Sequence, residues 1–554
     1  MASGTENLSV SMVPTAQRHA GLARATNFSA SIDAVVVATI VVVGTVLFGT
    51  FQYKGELSEP DLYIALIGLL NGQETGLGLD DPLQYGRAFS YGYIEFIEAA
   101  ARVLNIHGRE ATISLINNVG LVSAVAGLGF MYLCLRVAYG SAIAIVAIVL
   151  IGLSPMFMDL ATSGHPLLPA FCLFAAGGLL LLIDTSGWLR IGTLTAAALI
   201  LFAGLTVRAE ILFGFPWLVL AQSTPPQSAR HYIRTVGWRS VACLLATGLF
   251  FLGRFLLVPE PAGDERGLAG LSVFFQTWYS WAKVGPGLVY LLLGCGIVTI
   301  IVAGVCALIE IKSLLSARFS QAALQRKLPF LAPLALVVPG LLFWIANPAP
   351  SRHFFFFMVG VAICIGLSAI STLKLSKASA VALAFTVVAA NQMVAESARS
   401  LVVRVMNSPL TNLPDTTRTP TLVPLGFFWK HHEILQSRRE AFSGEASKIR
   451  TACDPFVLVL TEEPHHLVAA LFTEQLKPKN LTVTTMGAYG GYSTEFGGRH
   501  FLFIVKSSGW PEDALSHLLS VDALSKYQIY VDPYGVTSFD HTPVPVSRKA
   551  KFGC

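Results

Sequence analysis

The sequence predicts a polytopic α-helical membrane protein of about eleven transmembrane helices, followed by a small extracytoplasmic α/β domain. Three observations predict it. Of 554 residues, 54% are hydrophobic and only 13% are charged, where an average soluble protein carries roughly 25% charged residues. Apolar runs of membrane-crossing length recur up to about residue 393. Beyond that point the composition changes, first to a linker and then to alternating strand and helix patterns.

The net charge of +5 is small for this length. No basic stripe with interleaved aromatics appears, so nucleic acid is not an expected partner. There is no zinc spacing, no phosphate-binding Walker loop and no dinucleotide fingerprint. The eight cysteines form no CxxC pair. Cys134, Cys172, Cys243, Cys295, Cys306 and Cys364 fall in apolar runs, where a buried structural thiol is the default. Cys453 and Cys554 bracket the tail domain and are expected to pair only on an oxidising side of the membrane.

In chain order, residues 1–31 read as a polar N-terminal tail, and the first apolar run as a retained helix rather than a cleaved signal. The transmembrane domain, 32–396, is expected to place spans at 34–51, 111–135, 142–158, 167–183, 191–207, 211–221, 240–258, 287–311, 329–346, 353–370 and 378–393. Each is justified by length and apolarity, the sixth being short. Lys and Arg concentrate on the cytoplasmic side of short loops. Arg18 and Arg24, then Arg230, Arg234 and Arg239, then Lys312, Arg318, Arg326 and Lys327, then Lys374 and Lys377 all fall on one side of that count. The N-terminus is therefore expected in the cytoplasm. The long first loop 52–110, the loop 259–286, the turn 347–352 and the tail are expected outside. Residues 397–452 read as a linker, rich in Pro, Thr and Asn. In 453–554, residues 456–460, 481–485 and 501–505 have strand patterns, and 466–476 and 511–519 helical ones.

The candidate chemistry lies on the outer side. Glu59 and Asp61, in Ser58-Glu-Pro-Asp-Leu-Tyr63, are either a general base with a neighbour or a ligand set for a divalent metal such as Mg or Mn. Against this stands the plain reading of two solvated charges at a helix boundary. Asp61 is favoured, because Pro60 fixes its approach and Leu62-Tyr63 restart an apolar face; Tyr63 and Tyr91 are aromatic candidates near the same loop. Arg208 and Glu210 interrupt the stretch between the fifth and sixth spans. The guanidinium fork matches phosphate oxygens, and the competing reading is an ion pair capping two short helices. Arg352 and His353 open the tenth span and are read as a phosphate contact, with Phe354–Phe357 facing lipid chains or forming an interfacial belt. Arg254, inside the seventh span, should face a cavity or a carboxylate. Lys283 closes an amphipathic segment starting at Phe274, a candidate lipid entrance. His165 reads as a structural polar tip more readily than as a ligand.

Taken together these features resemble the GT-C superfamily of polytopic glycosyltransferases over residues 34–393. The resemblance rests on Glu59-Pro-Asp61 soon after the first helix, Phe89-Ser-Tyr-Gly-Tyr93 late in the loop, Leu115-Ile-Asn-Asn118, Leu153-Ser-Pro155, Thr206-Val-Arg-Ala-Glu210 and Pro350-Ser-Arg-His353. It implies a polyprenyl-phosphate-linked sugar donor, a glycan, lipid or protein acceptor, and a first-loop carboxylate as base. It also implies outer-side arginines that hold the carrier phosphate. No strict Asp-Glu dipeptide is present, so Glu59 and Asp61 remain alternatives. His353 stands where related sequences often carry an aromatic residue. The expected setting is the bacterial inner membrane, with a role in cell-envelope glycan or glycolipid assembly. A transporter or flippase of lipid-linked sugar is the competing class, and a non-catalytic scaffold a third. Transporters often show internal repeats and mid-membrane charges, whereas here the ionisable residues crowd the outer boundary.

Overall fold

A computed structural model describes residues 15–52, 82–106, 109–162, 164–183, 185, 187–221, 229–257, 288, 291–292, 294–316, 321–346, 355–406, 456–461, 480–486, 489–496, 499–506 and 528–531. The helices are α1 (Thr15–Thr50), α2 (Pro82–Val103), α3 (Arg109–Tyr139), α4 (Ser141–Gly152), α5 (Pro155–Thr162), α6 (Leu167–Leu182), α7 (Gly187–Val207), α8 (Phe215–Leu220), α9 (Ala229–Leu257), α10 (Ile297–Ser316), α11 (Gln321–Ala346), α12 (Phe355–Leu367) and α13 (Lys377–Met406). A 3₁₀ turn, Ala209–Gly214, joins α7 to α8.

Among the described residues, seven helices are long and apolar enough to cross a bilayer: Ser31–Thr50, Ala111–Tyr139, Gly187–Val207, Tyr232–Leu256, Ile297–Ser316, Phe355–Thr372 and Lys377–Val394. All seven overlap expected spans. The expected span 142–158 is instead a bent pair, Ser141–Gly152 and Pro155–Thr162, at 65° to each other. The cause is local. Pro155 has no N–H to continue the ladder, and the Ser154 hydroxyl accepts the Phe157 N–H at 3.2 Å, capping the new helix. Shorter apolar helices, Leu167–Leu182, Ala209–Leu220 and Pro329–Leu342, occupy three further expected positions.

The expected span 287–311 also needs correction. Residues 294–295 are helical, Gly296 breaks the run at φ +90°, and α10 begins only at Ile297. A side chain at that φ is strained, and a Cβ would lie 2.4 Å from the Asn391 side chain. Asn391 of α13 explains the break. Its Oδ1 accepts the Val298 N–H at 2.8 Å and its Nδ2 donates to Thr299 Oγ1 at 2.7 Å. The orphan donors at the start of α10 are thus satisfied from another helix, since lipid would not satisfy them.

Phe355, Phe356 and Phe357 are buried, which overturns the lipid-facing and belt readings; Phe354 lies outside the described residues. Phe355 packs on Phe171 at 5.1 Å and Phe157 at 6.3 Å between ring centroids, and Phe356 packs on Phe174 at 5.3 Å. A helix apolar on every face belongs inside a bundle rather than at its edge. The six cysteines in apolar runs are free, with Cys134, Cys243, Cys295 and Cys306 buried and Cys172 and Cys364 partly so.

At the end of the bundle that carries the basic residues, polar clusters lock helix ends together. Arg239 of α9 donates to the carbonyls of Leu181 at 3.0 Å and Ala221 at 2.5 Å, at the last turns of α6 and α8. A guanidinium there meets both orphan carbonyls and the negative ends of two helix dipoles. Asp33 pairs with Arg136 at 2.5 Å and accepts the Tyr132 hydroxyl at 2.9 Å. Glu310 pairs with Lys327 and accepts from Ser368 at 2.9 Å. Arg239→Leu is expected to strip the charged donor from buried carbonyls, lowering stability by roughly 2–4 kcal/mol. Thermal unfolding of purified protein in detergent, against Arg239→Lys as the milder change, measures it.

Among the described residues the tail carries five strands, β1 (Phe456–Thr461), β2 (Asn480–Met486), β3 (Tyr489–Phe496), β4 (Arg499–Lys506) and β5 (Gln528–Val531), in the order β2-β3-β4-β1-β5. β1 runs parallel to both β4 and β5, while β2, β3 and β4 are antiparallel neighbours. The unbroken apolar run of β1 suits a strand between two parallel neighbours. All three expected strands are present. β3 and β5 are additions, and the expected helices 466–476 and 511–519, with Cys453 and Cys554, lie outside the described residues.

Candidate functional site

The site is built around the break after α7. Val207 ends the helix and Arg208 is extended, at φ −159° and ψ 118°, before the 3₁₀ turn begins. The sequence forces this, because a charged pair two residues apart cannot continue an apolar membrane helix without exposing charge to lipid. Arg208 Nε lies 3.1 Å from Glu210 Oε1, and both side chains are largely buried. The carboxylate orients the guanidinium and offsets part of its burial cost. An ion pair therefore stands at the junction, as one of the two readings expects, and it holds an arginine there.

Helix α2, the exit of the first loop, docks on the same break. A Cβ on Gly92 would lie 2.3 Å from Thr206 Oγ1, so only glycine permits the approach. Its neighbour Tyr93 is wholly buried, and among the described residues its hydroxyl has no hydrogen-bond partner. Burial pushes that phenol far above its ordinary range, so it stays protonated and remains a donor. Gly92→Val is expected to push α2 off the break, with an overpacking cost of about 1–3 kcal/mol. A lowered unfolding temperature checks it, and an unchanged one would contradict the contact.

Three further sequence motifs come together at this end. Gln52, the last described residue before the first loop, donates from Nε2 to Asn118 Oδ1 at 3.4 Å. Asn117 packs on the turn before α6, where a Cβ on Gly164, itself at φ +67°, would lie 2.5 Å from Asn117 Oδ1. His165 in that turn is buried, and its Nδ1 accepts the Leu167 N–H at 3.0 Å. It caps α6, as the structural reading expects.

The expected site residues therefore divide. Arg208 and Glu210 are joined, and the helix carrying Gly92 and Tyr93 packs on Thr206 just before them. Arg254 lies half-buried in the last turn of α9. Glu59, Asp61, Tyr63, Lys283, Arg352 and His353 lie outside the described residues. Among the described residues no three His, Cys, Asp or Glu side chains gather in a metal-binding group; the metal reading rests on Asp61 and carries no step below.

Tyr93 and Thr206 were inside quoted motifs, but nothing in sequence singled out the contact between their helices.

No family model matches the chain, and no curated protein sequence matches it. Among solved structures it is similar to the crystal structure of ArnT from Cupriavidus metallidurans bound to undecaprenyl phosphate, with a TM-score of 0.50 and 14% identity over 81% of this chain and 86% of that one. The apo form of ArnT gives a TM-score of 0.44 at 13% identity, covering 83% and 87% of the two chains. The Archaeoglobus fulgidus oligosaccharyltransferase in complex with zinc and sulfate gives 0.40 at 12% identity, covering 78% of this chain and 61% of that one. ArnT belongs to the GT-C superfamily, and the first of these likenesses shows that this chain shares that fold. The resemblance read from the sequence is borne out at that level.

Proposed function

We propose that the chain is an integral-membrane glycosyltransferase that moves a sugar from a polyprenyl-phosphate donor to an acceptor hydroxyl on the outer side of the membrane. The observation that carries this reading is the buried Arg208–Glu210 break with α2 docked on it, in a fold shared with a protein bound to undecaprenyl phosphate. A fixed arginine at a membrane boundary is suited to a phosphate that arrives with its lipid tail in the bilayer.

In the reaction, Asp61, with Glu59 beside it in sequence, takes the proton of the acceptor hydroxyl. The acceptor oxygen attacks the anomeric carbon as the bond from that carbon to the phosphate oxygen breaks. The bonding pair leaves with the lipid phosphate, whose charge Arg208 meets, with Arg352 of the later turn as second cation. Stabilising charge that develops on the leaving group is the term that most lowers such barriers. The Tyr93 hydroxyl is suited to donate to a substrate oxygen.

In this reading the eleven passes comprise the seven long helices, the bent pair and the three shorter apolar helices. Leu167–Leu182 and Ala209–Leu220 are tolerated as short passes because protein largely surrounds them. The 453–554 region lies outside the cell or in the periplasm, where its parallel strands suit an α/β domain that covers the site or holds a glycan acceptor. The N-terminus is cytoplasmic, and the setting is a bacterial inner membrane engaged in envelope glycan or glycolipid assembly.

A flippase for lipid-linked sugar is the competing reading. It draws on the 65° bend between α4 and α5, since broken helices line transporter sites. A structure determined with undecaprenyl phosphate tests the proposal. The phosphate is expected within ion-pair reach of Arg208, about 4 Å. Phosphate density elsewhere, with Arg208 engaged only with Glu210, would remove the arginine from its role.

A further inference from the structure

At the basic end of the bundle, away from the Arg208 break, α7 and α9 pack side by side and present an ordered stripe. Arg190, in the first turn of α7, sits with Cζ 6.0 Å from the centroid of the Trp238 ring on α9. Arg234 lies one turn before Trp238 on α9, which puts it on the same helix face. Among the described residues neither arginine forms an ion pair with a carboxylate. Trp238 is 40% exposed. Toward mid-membrane the same α9 face continues as Val241 and Leu245, both exposed.

The order along this face is two cations, then indole, then aliphatic chains. A cation over an indole face is favourable, and indoles settle at headgroup level. Arg234, one turn from the indole that Arg190 covers, brings a second positive charge to this face, and two like charges there favour an anion between them. A phospholipid with net negative charge matches every part in turn: its phosphodiester meets the guanidinium forks, its glycerol region meets the Trp238 indole, and its chains meet the aliphatic stripe. A zwitterionic lipid brings its own cation and leaves the two arginines uncompensated.

We propose that the α7–α9 face at Arg190, Arg234 and Trp238 is a binding site for an anionic phospholipid of the adjoining leaflet. The charge count assigns that leaflet to the cytoplasmic side. The site is remote from the break after α7 and does not depend on the transferase reading.

The full chain, purified in mild detergent with equal parts phosphatidylglycerol and phosphatidylcholine, is to be analysed by native mass spectrometry for retained lipid. Preferential retention of phosphatidylglycerol is expected. Each basic residue near an anionic headgroup contributes roughly a fivefold preference, so the Arg190→Gln, Arg234→Gln pair should lower the retained ratio by roughly 10- to 25-fold. The corresponding Lys pair should keep most of it. Excess inorganic phosphate should not displace the lipid, because it makes none of the chain contacts. Equal retention of both lipids by the unaltered chain overturns the proposal whatever the variants do. So does an undiminished preference in the Gln pair, or displacement by phosphate alone.

Discussion

Asp61→Asn is expected to lower sugar transfer by roughly 10²–10⁴, the usual contribution of a general base, while the protein still inserts and still binds lipid-linked donor. The amide keeps the size of the side chain and most of its hydrogen bonding but cannot take a proton. Donor binding should survive, because the phosphate contacts are assigned to arginines elsewhere in the chain. The chain enters the first loop at Gln52, tied to Asn118, and leaves it through α2, docked by Gly92 on Thr206 beside Arg208. Glu59→Gln should act in the same direction and less strongly. Purified variants assayed for transfer and separately for donor binding distinguish a lost base from a lost fold. Full activity in both variants would take catalysis away from the first loop.

Arg208→Ala is the second large effect. It is expected to lower transfer by roughly 10²–10³, the range found when one preorganised charge stabiliser is removed. Unlike Asp61→Asn, it should also raise the donor concentration needed, since a phosphate contact acts in ground and transition states alike. Arg208→Lys keeps the charge but loses the two-pronged fork, and should fall between. The variant also strands Glu210, which is largely buried. The Arg208→Ala, Glu210→Gln pair should therefore regain stability without regaining transfer. Recovery of transfer in that pair would mean that Arg208 serves only to neutralise Glu210.

Much of this arrangement could be read from the sequence because a bilayer imposes strict rules. A span must be apolar over most of its length, so the seven long helices announced themselves, and the charged pair Arg208 and Glu210 could only mark a break. The bend at Ser154-Pro155 was hidden because both sides of it are apolar, and hydropathy records apolarity rather than direction. The late start of α10 was hidden because its cap, Asn391, is about ninety residues distant in the sequence. Phe355 and its neighbours were misjudged for a related reason. An apolar helix facing lipid and one buried among helices have the same composition, and only contacts with Phe157, Phe171 and Phe174 separate them. In the tail, the apolar runs of β1, β2 and β4 were legible, while the glycine-rich β3 is a strand through its pairing partners rather than its own propensity.

The central claim is that this protein breaks the bond between a sugar and a lipid phosphate. It is tested most directly by incorporating the purified chain into liposomes that carry a panel of polyprenyl-phosphate-linked sugars with a membrane-extract acceptor, and following both halves of the donor. Free polyprenyl phosphate should accumulate in step with sugar on the acceptor, and Asp61→Asn should abolish most of both. Donor that crosses the bilayer with its sugar still attached, with no lipid phosphate released, would contradict the claim and establish the chain as a transporter.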